Sequence, residues 1–302
     1  MPTEHRRADA PTTPSSSEPA AGRTVAGLLE EIAARFADAG IASPRAEARW
    51  LLRHVLGRSS AQLVQGAADV PDADQVAELE HLAGRRATRE PLQLVLGATA
   101  FRGHELTVRP GVFVPRPETE LLVEHGLERL PTGAVVVEPC TGSGAVACAI
   151  AAERPDAQVI ATDIDADAVA LAAHNAARLG VTVEVWQGDL LDPVPRPLRG
   201  RVDLLVCNPP YIAADEVADL PPEVAVWDPA AALVAGPTGH EVSDRLITLA
   251  VPWLRSGGRL LLELDERRVV QAADRALAAG LRDADALVDL TGRVRYLTAQ
   301  LP

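Results

Sequence analysis

Lysine is absent from this chain, and all 29 basic residues are arginine. Alongside heavy use of Ala, Val and Leu, that absence reflects a GC-rich coding bias rather than a function. Basic charge is short overall: 42 acidic residues outweigh the bases and give a formal net charge of −13. Proteins that grip nucleic acid through its phosphates need a basic surface, so no stable nucleic-acid binding is expected beyond what a local patch could support. Cysteine is scarce too. Cys140, Cys148 and Cys207 are odd in number and form no Cys-x-x-Cys pair, which excludes a disulfide framework. Reduced core thiols in a cytoplasmic protein are the expectation. The seven histidines make no zinc-ligand spacing with the cysteines, and no metal is implied. No apolar run approaches the roughly 18 residues of a membrane helix, and the N-terminus carries no signal-peptide core, so no membrane association is expected. What remains is a globular composition, 47% hydrophobic over 302 residues, enough for one large or two modest domains and expected to be monomeric.

Residues 1–22 are rich in Pro, Ser, Thr and Ala and read as a disordered tail. Over 23–89 the pattern is helical and defines a small N-terminal domain, either a packing module or a docking surface for a protein partner. Val25, Leu28, Leu29, Ile32 and Phe36 form one apolar stripe that ends at Gly40. Ser43-Pro44 opens a second helix, with Ser43 as N-cap, Trp50, Leu51, Val55 and Leu56 on its buried side, and Gly57 as its stop. A third helix carries Val76, Leu79, Leu82 and Ala83. Residues 90–118 read as a connector with a β-hairpin around Gly103-His104. It ends in the stiff run Pro115-Arg116-Pro117-Glu118, with Thr119 as N-cap of the next helix. Over 119–302 strands and helices alternate. Strands are predicted at 134–138, 158–162, 182–186, 202–207 and 258–264, and helices at 145–153, 166–179, 241–255 and 266–279. A final antiparallel pair lies near 282–289 and 293–299. Such alternation implies an α/β fold with a mainly parallel sheet covered on both faces.

The first of these strands ends in Glu138-Pro139-Cys140-Thr141-Gly142-Ser143-Gly144, directly before a helix. Glycines at such a turn let the backbone approach a ligand closely. The spacing is not the dinucleotide G-x-G-x-x-G, and an acid at the strand end repels phosphate while suiting a cationic ligand. Asp163 ends the second strand 19 residues after Gly144, where a carboxylate reaches ribose hydroxyls in nucleotide-binding βαβ units. Asp189, followed by Leu190, comes after the third strand and can accept an adenine N–H. Each feature alone is also compatible with a tight turn or a helix cap. In register they describe a site for an adenosine with a positive, phosphate-free end, which S-adenosylmethionine fits.

The fourth strand ends in Asn208-Pro209-Pro210-Tyr211. An Asn-Pro turn is ordinary strand-ending chemistry. The four residues together also suit a planar NH2 group. The Asn208 oxygen accepts one N–H, and Pro209, which has no N–H, offers its carbonyl as a second acceptor. Tyr211 supplies a flat face.

With this tetrapeptide and this glycine loop the chain resembles class I S-adenosylmethionine-dependent methyltransferases (Rossmann-like) that act on planar NH2 groups. Arg89–Gly97, Pro115–Glu120 and Leu220–Val224 resemble the HemK/PrmC family of protein-(glutamine-N5) methyltransferases, across residues 24–298. The resemblance implies methylation of the glutamine in the Gly-Gly-Gln motif of bacterial peptide chain release factors. It also implies cofactor contacts from Phe113, Glu138, Cys140, Thr141, Gly142, Ser143, Gly144, Asp163, Asp189, Leu190 and Asn208. Substrate contacts, which are also the catalytic ones, would come from Asn208, Pro209, Pro210 and Tyr211. Glu138 and Cys140 stand where the family has Asp and Gly. Asp265, Arg268 and Val294 stand where it has Gly, Gln and Asp. Alternatives are an N6-adenine methyltransferase of DNA or RNA, a paralogue methylating a different protein, and a non-catalytic protein on the same fold. No general base is obvious, and none is needed, because an N-alkylated amide cation sheds its proton readily.

Overall fold

A computed structural model describes residues 23–302; the tail expected over 1–22 lies outside the described residues. The chain divides between Ala83 and Gly84 into two compact units.

In the first unit α1 (Val25–Asp38) begins where the Thr24 side chain accepts the Gly27 N–H, and it buries Leu28, Ile32 and Phe36. Next comes α2 (Pro44–Leu56), which ends at left-handed Gly57. Ser43 occupies its N-cap position but makes no side-chain capping bond. Its buried residues are Ala48, Leu51 and Leu52, and Trp50, expected inside, is 52% exposed. Residues 48, 51 and 52 share a face at helical spacing, and position 50 points away from it. The short α3 (Ser60–Gln65) was not expected, although Ser59-x-x-Gln62 forms a capping box that announces it. α4 (Ala73–Ala87) buries Leu79, Leu82 and Ala83, and its last turn, from Gly84, belongs to the second unit.

The second unit opens with α5 (Leu92–Leu96) and the hairpin β1 (Ala98–Phe101) and β2 (His104–Thr107), whose turn is Arg102-Gly103. α6 (Thr119–Leu127) follows, then β3 (Val135–Pro139), α7 (Ala145–Glu153), β4 (Gln158–Asp163), α8 (Ala166–Leu179), β5 (Glu184–Gln187) and β6 (Val202–Cys207). A short excursion holds β7 (Ile212–Ala213), α9 (Pro222–Ala225), α10 (Ala230–Leu233) and β8 (Val234–Gly236), with β7 and β8 paired in parallel. The chain closes with α11 (Glu241–Trp253), β9 (Leu254–Glu263), α12 (Glu266–Ala278), β10 (Arg282–Val288) and β11 (Val294–Gln300). The strand order is β10-β11-β9-β6-β3-β4-β5, with β11 antiparallel to both of its neighbours.

Alternation along the strands separates two cores. Val136, Leu204, Val206 and Leu261 face α6 and α7. Val137, Leu205, Leu260 and Leu262 face α11 and α12, through Leu246, Trp253, Val269 and Ala272. Strands buried on both faces read as continuous apolar runs, which is why 202–207 was legible as one. The order also creates a switch point. From β3 the chain winds outward through β4 to β5, then returns to β6 on the other side of β3. In open α/β sheets ligands bind at the carboxyl ends of the strands where the winding reverses.

Candidate active site

At that switch point opens a cleft of about 480 Å³. Its walls include every residue singled out by sequence except Gly144: Phe113, Glu138, Cys140, Thr141, Gly142, Ser143, Asp163, Asp189, Leu190 and Asn208 through Tyr211. The two glycines of the loop do different jobs. A Cβ on Gly142 (φ +55°) would meet nothing within 4 Å, so the backbone there stands open toward the cleft. A Cβ on Gly144 (φ +78°) would lie 2.9 Å from Cα and Cβ of Ala172 on α8. Gly144 is therefore a packing glycine that lets α7 start close against α8.

The loop is braced from both sides. Glu138, 3% exposed, accepts through Oε2 the Thr141 hydroxyl at 2.6 Å and the Ala147 N–H at 2.9 Å. Burial pushes its carboxyl up to about 8 against the pull of those two donors. Asp163 accepts the Gly142 N–H at 2.8 Å through Oδ2 and the Asp165 N–H at 3.0 Å through Oδ1, and burial raises its pKa. Each carboxylate oxygen has a second lone pair, so Asp163 can still receive a ligand hydroxyl. Cys140 holds a left-handed backbone (φ +55°), the conformation that glycine adopts at no steric cost. Asp189 is paired to Arg245 of α11 at 2.7 Å. Leu190, also at positive φ, accepts the Thr162 hydroxyl through its carbonyl at 2.5 Å.

On the facing wall Phe113 carries the Arg116 guanidinium 4.8 Å from its ring centroid, and Arg116 pairs with buried Asp228 at 2.5 Å. Thr119 corrects an expectation. It is the first residue of α6 rather than its cap, which is Glu118 with no side-chain bond. Its side chain is buried, and its Oγ1 accepts Asn208 Nδ2 at 3.3 Å. Asn208 is half-buried and Pro209 buried. The Tyr211 hydroxyl accepts from Arg295 Nη2 at 3.4 Å, and the same nitrogen reaches Glu263 Oε1 at 3.4 Å. Arg268 is buried and pairs with Glu216 at 2.6 Å, tying α12 to the segment after the motif, while Asp265 caps α12. Thr119, Asp228, Glu263 and Arg295 were not singled out for the site, because nothing local in the sequence marks residues brought together from α6, the excursion, β9 and β11.

The open backbone at Gly142, the acid-lined strand ends and the apolar wall around Phe113 fit an adenosine with a cationic tail. Sheet order and cleft together define a class I S-adenosylmethionine-dependent methyltransferase. A likeness to a solved methyltransferase from Pyrococcus furiosus carries the same fold, with TM-score 0.51, 19% identity, and coverage of 76% of this chain and 98% of that one.

Family models for the PrmC N-terminal domain and the methyltransferase small domain match residues 27–97 and 104–224. A release factor glutamine methyltransferase from Mycolicibacterium smegmatis is 44% identical over 90% of this chain and 95% of its own. One from Cereibacter sphaeroides is 40% identical over 92% and 98%. The chain belongs to the release factor glutamine methyltransferase family. That relationship does not favour the nucleic-acid adenine reading of Asn-Pro-Pro-Tyr.

Proposed function

We propose that this protein methylates the side-chain amide nitrogen of the glutamine in the Gly-Gly-Gln motif of bacterial peptide chain release factors. The observation that carries the reading is the meeting of Asn208-Pro209-Pro210-Tyr211 with the glycine loop, Asp163 and Asp189 around one cleft. Bound S-adenosylmethionine supplies an electrophilic methyl group on a sulfonium. Gly142 would give it backbone access, Asp163 would receive the ribose hydroxyls, Asp189 and Leu190 would hold the adenine, and Phe113 would lie beside it. Glu138 and Cys140 through Ser143 complete the loop.

An amide nitrogen is a weak nucleophile because its lone pair is delocalised. Asn208 Oδ1 and the Pro209 carbonyl accept the two amide hydrogens, orient the nitrogen and favour positive charge building on it. Tyr211 lies against the amide plane. Positioning and oriented dipoles supply most of the acceleration. The helical region at 23–89 is assigned to docking the release factor, with 90–118 as the connector and 119–302 as the catalytic part.

The test is single-turnover transfer of labelled methyl to a release factor, with mass spectrometry locating the label on the Gly-Gly-Gln glutamine. Asn208→Ala should lower the transfer rate by ~10²–10³, as loss of one preorganised group does, with cofactor affinity little changed. Near-wild-type transfer by Asn208→Ala would sink the mechanism. Label on a different residue would sink the substrate.

A further inference from the structure

A primary amide is almost symmetric in shape, so its oxygen and nitrogen ends exchange by a half-turn of the side chain. For Asn208 to present oxygen to a substrate NH2, something must hold its nitrogen. Thr119 Oγ1 does so at 3.3 Å. A hydroxyl has one proton; when its oxygen accepts from Asn208, that proton must be given elsewhere. The Glu263 carboxyl is the neighbouring acceptor. It is 1% exposed, its Oε2 has no hydrogen-bond partner, and the neighbouring Thr119 side chain lowers its pKa, so Oε2 is the acceptor free to take that proton.

We propose that Glu263, acting through Thr119, is a positioning residue that fixes the flip of the Asn208 amide so that Oδ1 faces the cleft. The inference rests on the amide-methyltransferase reading above and extends it to residues behind the motif. An ionised carboxylate only accepts, so it forces one direction on the chain: Asn208 N–H to Thr119, Thr119 O–H to Glu263. A protonated Glu263 can donate to Thr119 and release that constraint. Both states lie within reach near neutrality, because burial pushes the carboxyl up to about 7 while Thr119 and Arg295 pull it down. The groups facing Glu263 are Arg295 and Tyr296 from β11, Glu118 and Thr119 at the start of α6, and Tyr211 of the motif. The same cluster steadies the rest of the motif, since Arg295 reaches the Tyr211 hydroxyl and lies 5.9 Å from its ring centroid.

The sequence makes the test clean. It contains two asparagines, Asn175 and Asn208. Full-length protein labelled with 15N at asparagine gives two side-chain NH2 signals, assigned with Asn208→Ala. Asn175 donates to the Thr107 and Ser143 carbonyls and serves as an internal reference. Thr119→Val should move the Asn208 signal and speed its hydrogen exchange roughly fivefold, as loss of one hydrogen bond implies, and Thr119→Ser should restore both. The wild-type Asn208 signal should titrate near neutral pH, and Glu263→Gln should remove that titration. On a release factor, Thr119→Val should lower kcat roughly tenfold, less than loss of the acceptor itself, with cofactor affinity unchanged. An Asn208 signal unmoved by Thr119→Val, or flat with pH in the wild type, overturns the proposal even if methylation proceeds normally. The expected spectra with no methylation by the wild type leave Glu263 and Thr119 in their role and overturn the substrate reading instead.

Discussion

Asp163 and Glu138 each serve the protein before they serve a ligand. Asp163 was legible as a ribose acceptor from its spacing, but its carboxylate also holds the Gly142 and Asp165 N–H groups. Asp163→Ala should therefore weaken cofactor binding by about 1.5–3 kcal/mol, the scale of a hydrogen bond to a charged group, and lower the melting temperature as well. Calorimetry with unchanged cofactor affinity would remove Asp163 from the site. Glu138 favours its protonated form when folded. Its contribution to stability is present in full below the ordinary carboxyl range and is lost as pH rises through about 8. A cation bound nearby favours the ionised form, so cofactor binding should release a proton and tighten as pH rises toward about 8. Glu138→Gln should flatten that dependence; an unaltered slope in the variant would assign the pH effect to another group.

The glycine loop shows that one sequence signature can hide two requirements. Gly142 and Gly144 look equivalent in Gly-x-Gly, yet only Gly142 opens onto the cleft. Gly144→Ala forces a Cβ against the α8 backbone at Ala172 and keeps a left-handed φ. The clash should cost ~1–3 kcal/mol and the conformation ~1–2 kcal/mol more, visible as a drop in melting temperature. Gly142→Ala meets no protein atom and carries only the left-handed cost of ~1–2 kcal/mol, so it should lower the melting temperature less than Gly144→Ala and act on cofactor affinity as well. Equal thermal losses in the two variants would refute this division. Among the connections, the hairpin over 98–107 is fastened to α8 by Asn175, which accepts the Thr107 N–H at 2.9 Å and donates to its carbonyl at 3.0 Å. Periodicity gives the hairpin; that tether comes from 68 residues away.

Across the whole molecule, the cleft residues all lie between Gly111 and Arg245. Cofactor binding should therefore need nothing from the first unit. Deleting residues 1–71 keeps α4 with Asp72, whose side chain caps its start through the Gln75 N–H at 2.8 Å. The truncated protein should bind cofactor normally, as calorimetry would check, while its kcat/KM on an intact release factor falls well below wild type. An unchanged rate on the intact protein would mean that the helical region does not dock the substrate.

By itself the sequence determined the alternation of strands and helices, the sites where strands end, and the chemistry those ends carry. Apolar runs, turn glycines and Asn-Pro-Pro-Tyr are local signals, set by period and backbone geometry within a few residues. It did not determine what stands behind the motif. Thr119 reads as a helix cap from its neighbours, and only the packing of α6 beside β6 and β9 turns its hydroxyl toward Asn208. Glu263 reads as the end of a buried strand, and only the return of β11 along β9 places Arg295 beside it. Trp50 reads as core because it is aromatic, but α2 packs through the face that carries Ala48, Leu51 and Leu52. These are contacts between residues far apart in the chain, fixed by how elements close on one another, so no local pattern encodes them.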